Sequence, residues 1–205
     1  MTATERPRGA ARYGPRERMV FSAAQLMRRE GVAAAGMREV AARAEAPRGS
    51  LQHYFPGGKE QLVAEAVAWA GRYAAGRVAR FLDALPEPTP GGLFAEMARQ
   101  WTDEYETFGF AGGCPVAAAV VDRAESSEAT RRAAADAFAV WTAPVAEALT
   151  GMGVPAPRAT ALATLMICTL EGAILMARAE RTTRPLTIAA TELGPLLDGA
   201  VGEAR

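Results

Sequence analysis

Apolar residues along this chain recur every three to four positions and nowhere alternate in twos, which points to packed helices rather than sheets. The clearest stripe is Met97, Trp101, Tyr105 and Phe108, aligned on one side of a helix. Composition agrees. Of 205 residues 47 are alanine, the strongest helix former, while Val, Ile and Thr, which favour strands, are comparatively scarce. A chain of this length buries roughly 70% of its unfolded surface, so its core needs neither disulfide nor metal.

Proline and glycine set the boundaries. Residues 1–13 form a polar, Arg-rich arm, after which Pro15 opens a first helix that closes at Gly31. A short second helix is expected over 37–44 and a third from Pro47 to about Tyr54. A fourth should run from Lys59 to about Leu85. Residues 86–92, PEPTPGG, read as a linker. Further helices are expected over 93–108, 116–123, 127–150 and 158–181, with a last one carrying Leu193, Leu196, Leu197 and Val201. The fold class is therefore all-α, with about nine helices.

Formal charge is zero but uneven: residues 1–60 hold eleven basic and six acidic side chains, the remainder twelve and seventeen. A basic head suggests an anionic partner; chance clustering of solvated arginines is the plainer alternative. Cys114 and Cys168 fit no metal or redox spacing and read as small core residues of a reducing compartment. The longest apolar stretch, 161–177, falls short of the ~20 residues of a membrane span and carries Glu171. No apolar run follows the N-terminal arginines, so neither signal peptide nor membrane segment is expected and the location should be cytoplasmic. His53 is the only histidine and stands without a nucleophile or metal shell, so no catalytic residue, metal or cofactor is expected.

The chemistry concentrates in residues 40–62, VAARAEAPRGSLQHYFPGGKEQL. Two short helices joined by a tight turn can present the second as a rod narrow enough for the major groove of B-DNA. Its leading end supplies Arg48, suited to bidentate pairing with guanine or to a phosphate, and Gly49, which permits close approach of backbone. Ser50 and Gln52 follow as polar readers. Lys59 lies in the first turn of a helix, where a cation opposes the dipole; an incoming phosphate would relieve that, while a solvated lysine is the bland reading.

These features resemble the TetR family of transcriptional regulators. The match is carried by the first-helix pattern 19–31, by MREVAA at 37–42, GSLQHYF at 49–55 and KEQL at 59–62. FPGGKE at 55–60, GCPVAA at 113–118 and LEGA at 170–173 look like the LmrA/YxaF-type branch. The resemblance implies a dimer of all-α subunits. In each, residues 14–62 would bind double-stranded DNA and 63–205 would bind a small effector and dimerise. By position, Arg48, Gly49, Ser50, Gln52 and His53 would face bases or the groove wall, and Tyr54 and Lys59 would meet phosphates. Leu51 and Phe55 would pack inward. Three residues depart from the family pattern: Glu45 replaces a turn glycine, Gly36 a Ser/Thr cap, and Gln52 a frequent tyrosine. The arm arginines Arg6, Arg8 and Arg12 either reach the DNA or form a basic tail without function.

In the body, Trp101, Tyr105, Phe108, Phe110, Phe138, Trp141 and Met166 either line an effector pocket or form plain core. Glu171 inside an apolar helix is either a ligand anchor or half of a satisfied internal pair. Cys114 beside Pro115 reads as structural rather than as a redox sensor. The expected function is a ligand-responsive homodimeric regulator, most simply a repressor of a near-palindromic operator and not an enzyme. The alternative is a helical small-molecule-binding protein or enzyme that binds no operator.

Overall fold

The computed structural model describes residues 14–47 and 50–202, leaving aside the side chain of Leu51. The arm with Arg6, Arg8 and Arg12, and the turn residues Arg48 and Gly49, lie outside the described residues. Among the described residues there are ten α-helices, one 3-10 turn and no strand.

Helix α1 (Pro15–Glu30) starts on Gly14, whose N–H donates to Glu17, and stops at Gly31 with φ +83°. The 3-10 turn Val32–Ala34 leads to α2 (Met37–Arg43), which begins on Gly36 without any side-chain cap, and then to α3 (Ser50–Tyr54). Between α2 and α3, Glu45 takes the left-handed backbone at φ +50°, the conformation a glycine would hold without strain. Met19, Ala23, Leu26, Met27, Val40, Ala41 and Phe55 close the core of this head.

Helix α4 (Gly58–Ala75) turns Leu62, Val63, Ala66 and Val67 into that same core. It stops earlier than expected. A turn at Gly76 and Arg77 separates it from α5 (Val78–Asp83), which aims Val78 and Phe81 into the body instead. Glycine alone does not set the break, since Gly71 lies within α4; the packing of Val78 and Phe81 into the body core does. The expected single helix to Leu85 is thus two, which brings the total to ten.

The body comprises α6 (Pro90–Phe108), α7 (Pro115–Arg123), α8 (Glu128–Gly151), α9 (Ala156–Glu180) and α10 (Arg184–Asp198). Thr89 and Ser127 cap α6 and α8 through their hydroxyl oxygens, which accept from Gly92 and Thr130 N–H. α4 lies against α8, and α6 against α10, where Asp198 accepts from Gly91 N–H at 2.7 Å. By length and composition α9 could cross a bilayer, being longer than the apolar stretch that places it. Here Leu162, Met166, Leu170 and Ile174 on its inner side fill the body core. Its other side stays apolar too: Leu165, Leu175 and Met176 are exposed, joined by Ile188 and Leu196 of α10. Cys168 lies on that outward side and is exposed, so the expectation of a core thiol fails there; an apolar neighbourhood on both faces hides which one is inside.

Candidate nucleic-acid interface and body cluster

α3 presents Gln52 and His53 to solvent, with Ser50 half-buried. Tyr54 is half-buried against the head core and meets the His53 ring edge-on at 5.2 Å. Phe55 behind it is fully buried, and the Arg16 guanidinium lies 5.3 Å from the Phe55 ring centroid. Packing of Phe55 thus fixes which way the residues before it face. Lys59, in the first turn of α4, donates from Nζ to the Ala33 carbonyl at 3.1 Å. One bond occupies one of its three donors, and it draws the start of α4 to the 3-10 turn.

In the body, Tyr105, Trp141 and Met166 are buried in one core, with Trp101, Phe110 and Phe138 packed against it half-buried. Tyr105 adjoins Phe110 at 4.9 Å and Trp101 at 5.8 Å between centroids. Phe108 lies apart and is 59% exposed. The helix ends there: Gly109 at φ +73° turns the chain away before the stripe is complete.

Glu171 lies part-buried on α9, yet both its carboxylate oxygens are shut off from solvent and neither has a hydrogen-bond partner. Beside it lies the Cys114 thiol, a weak donor, so the internal pairing open to this carboxylate is a single soft contact. Burial pushes this carboxyl up to about 7, with the adjacent Cys114 thiol pulling the other way. Cys114 is itself pushed well above the usual thiol range, by burial first and by Glu171 second, which makes it a poor nucleophile. The Tyr105 hydroxyl is likewise buried without a partner. Its pKa is raised by burial, with Arg178 opposing. Among the described residues no group of three or more His, Cys, Asp or Glu gathers as metal ligands.

Sequence alone does not disclose the contacts between head and body. Arg28 near the end of α1 pairs with Glu104 of α6 and lies 5.3 Å from the Trp101 ring centroid. It also bonds the 109–114 loop at Gly113. From the other side Arg178 of α9 donates to Ala111 O at 3.2 Å. Asp122 of α7 accepts from Val32 N–H at 2.7 Å, and Ser127 donates to Glu60 at 2.5 Å. The faint signal is GGCP at 112–115. A Cβ on Gly112 would meet Arg28 at 2.9 Å, and one on Gly113 would meet Arg178 at 2.6 Å.

Comparison with known proteins agrees with this geometry. Residues 22–66 match the bacterial regulatory proteins of the tetR family, and residues 90–192 match the C-terminal domain of LmrA/YxaF-like transcriptional regulators. An uncharacterized HTH-type transcriptional regulator of Mycobacterium tuberculosis strain H37Rv is 40% identical over 193 residues, 90% of this chain and 94% of that one. The HTH-type regulator LmrA of Bacillus subtilis is 30% identical over 179 residues, covering 85% and 92%. A TetR transcriptional regulator from Legionella pneumophila has a TM-score of 0.76 at 17% identity, over 90% of this chain and 98% of that one. One from Chloroflexus aurantiacus has 0.72 at 25%, over 96% and 100%.

Proposed function

The chain belongs to the TetR family of DNA-binding transcriptional regulators, in the LmrA/YxaF-like branch, and from that premise we propose that it is a cytoplasmic homodimeric repressor released from DNA by a small effector. The observation that carries the DNA contact is the exposed Gln52–His53 turn of α3, held outward by buried Phe55. In this reading residues 14–62 dock in the major groove, with Arg48, Gly49, Ser50, Gln52 and His53 toward base edges. Tyr54 and Lys59 hold phosphates.

Residues 63–205 bind the effector and pair the subunits. Exposed Leu165, Leu175 and Met176 on α9, with Ile188 and Leu196 on α10, support a four-helix contact between two copies, since a lone subunit would leave that apolar face in water. Two heads then meet successive major grooves about one turn (~34 Å) apart on a near-palindromic operator. Trp101, Tyr105, Phe110, Phe138, Trp141, Met166 and Glu171 line the effector site, with Phe108 at its outer edge. Ligand acts by binding better to the conformer whose heads are wrongly spaced, with a coupling of roughly 1–3 kcal/mol.

The test is titration of the full-length protein against the DNA upstream of its own gene at two salt concentrations. Affinity should fall steeply with salt. Arg48→Ala should cost about 1–3 kcal/mol and relax one operator position, whereas Lys59→Ala should weaken all sequences alike and lower the salt slope by about one. Salt-insensitive binding, or none to any duplex, contradicts the DNA reading. Sedimentation showing only a 21.6 kDa species at micromolar concentration contradicts the dimer.

A further inference from the structure

Two buried polar groups in the body, Glu171 and Tyr105, are poorly partnered, and Glu171 acts electrostatically on Tyr105. The Tyr105 hydroxyl has no hydrogen-bond partner, and the Glu171 carboxylate meets no donor other than the weak Cys114 thiol. A buried carboxylate without a donor is costly, so the arrangement asks for a donor from outside the chain. The nearby cations bond other groups and neither hydrogen-bonds the carboxylate or the phenol. Arg28 is held by Glu104 and the Gly113 carbonyl, and Arg178 by the Ala111 carbonyl. Cys114, the polar neighbour of Glu171, is a weak donor that leaves the carboxylate unsatisfied. Around the buried phenol the surroundings are aromatic: Phe110 and Trp101 flank Tyr105, and both are half-buried.

We propose that Glu171 and Tyr105 form the polar end of a binding site for a flat aromatic cation. An amidinium or protonated arylamine would donate N–H groups to both Glu171 oxygens while its ring lies along Tyr105 and Phe110. The Tyr105 hydroxyl then completes the set, as acceptor for a further N–H or donor to the carboxylate. Once the carboxyl is ionised it repels an anion, and a neutral amide supplies no charge to balance it, so a cation gains most from this site above pH 7. This rests on reading the body as the effector-binding unit, and it gives that effector a chemical class. Binding also has a proton signature. The free carboxyl is mostly protonated at pH 6, and pairing with a cation ionises it, so most of one proton leaves on binding.

The experiment uses three isosteric probes, benzamidine, benzamide and benzoate, with the full-length protein, followed by titration calorimetry in two buffers of different ionisation enthalpy. Benzamidine should bind about tenfold or more tighter than benzamide, benzoate weakest, with proton release at pH 6 for benzamidine alone. Glu171→Gln should remove the preference and the proton release. Tyr105→Phe should weaken benzamidine severalfold and keep the preference, which guards against misfolding of a single variant. Failure of benzamidine to bind, benzamide binding as tightly, or an undiminished preference in Glu171→Gln overturns the proposal. Operator binding, followed in parallel, separates the two claims. Benzamidine bound through Glu171 without DNA release upholds this site and removes its effector role. DNA release by benzamide or benzoate, undisturbed in Glu171→Gln, upholds an effector and removes this assignment.

Discussion

Arg28 and Gly113 are joined by a reciprocal pair of hydrogen bonds: Arg28 Nε donates to the Gly113 carbonyl at 3.0 Å, and Gly113 N–H donates to the Arg28 carbonyl at 2.8 Å. One residue closes the first helix of the head and the other precedes Cys114, the thiol beside Glu171. The loop carrying Cys114 is thus tied directly to α1 of the head. The Arg28 guanidinium adds the ion pair to Glu104 and the Trp101 face, so α6 and the 109–114 loop converge on one side chain of the head.

Arg28→Ala should lose the Gly113 carbonyl contact and leave Glu104 unpaired, lowering stability by about 1.5–3 kcal/mol. The backbone bond from Gly113 N–H survives, so the fold persists. Urea unfolding measures the stability loss, and operator titration should show unchanged DNA affinity in the absence of ligand but weaker release by it. Arg28→Lys should behave like the alanine variant, because an ammonium cannot reproduce a planar fork that serves a carbonyl, a carboxylate and a ring together.

Gly71 on α4 admits α8 to backbone contact: a Cβ there would lie 2.7 Å from Ala137 Cα and 2.8 Å from its carbonyl oxygen. Gly71→Ala must separate the two helices, at a cost of about 1–3 kcal/mol. Ala137→Gly should rescue little, since the clash is with main chain. The urea midpoints of the single and double variants decide this.

The stripe Met97, Trp101, Tyr105 is legible in sequence because one helix supplies its whole spacing, and so is the helix end before Gly109; that Phe108, its last residue, is left exposed is decided by packing beyond the helix. The break at Gly76 is hidden for a related reason: helix propensity on either side is high, and only the turn of Val78 and Phe81 into the body core requires it. Cys168 shows the limit of composition. An apolar helix with one face in the core and an equally apolar face exposed reads as buried throughout. Arg28 is silent in sequence because its partners lie 76 and 85 residues away. Glu171 is visible as a lone acid in an apolar run, but that its one neighbouring donor is the weak Cys114 thiol is a fact of packing alone.

Glu45 holds φ +50° in the turn before α3 and is exposed, so its side chain gains nothing there to offset the left-handed backbone. Left-handed geometry costs an L-residue about 1–2 kcal/mol, and glycine gives back part of that through its looser unfolded chain. Glu45→Gly should therefore stabilise the protein by about 0.5–1 kcal/mol, raising Tm by roughly 1–4 °C in a scanning experiment. Glu45→Ala should leave it unchanged or slightly lower.

Glu171 should also leave its mark on the pH dependence of folding. Burial holds its carboxyl at about 7 in the folded protein against an ordinary value of 4.5. Below the ordinary value both states carry the proton and burial costs the fold no charge. Between the two values the unfolded chain releases the proton while the folded one keeps it, so stability falls as pH rises. Above about 7 both are ionised and the folded state bears the whole penalty, roughly 3 kcal/mol. The difference in unfolding free energy between Glu171→Gln and wild type should accordingly widen in the variant's favour from pH 5 to pH 8, in urea titrations at matched ionic strength. Saturating benzamidine should narrow that difference at pH 8, because a bound cation stabilises the ionised carboxylate only in wild type. Parallel profiles for the two proteins would mean that the carboxylate finds a partner within the chain.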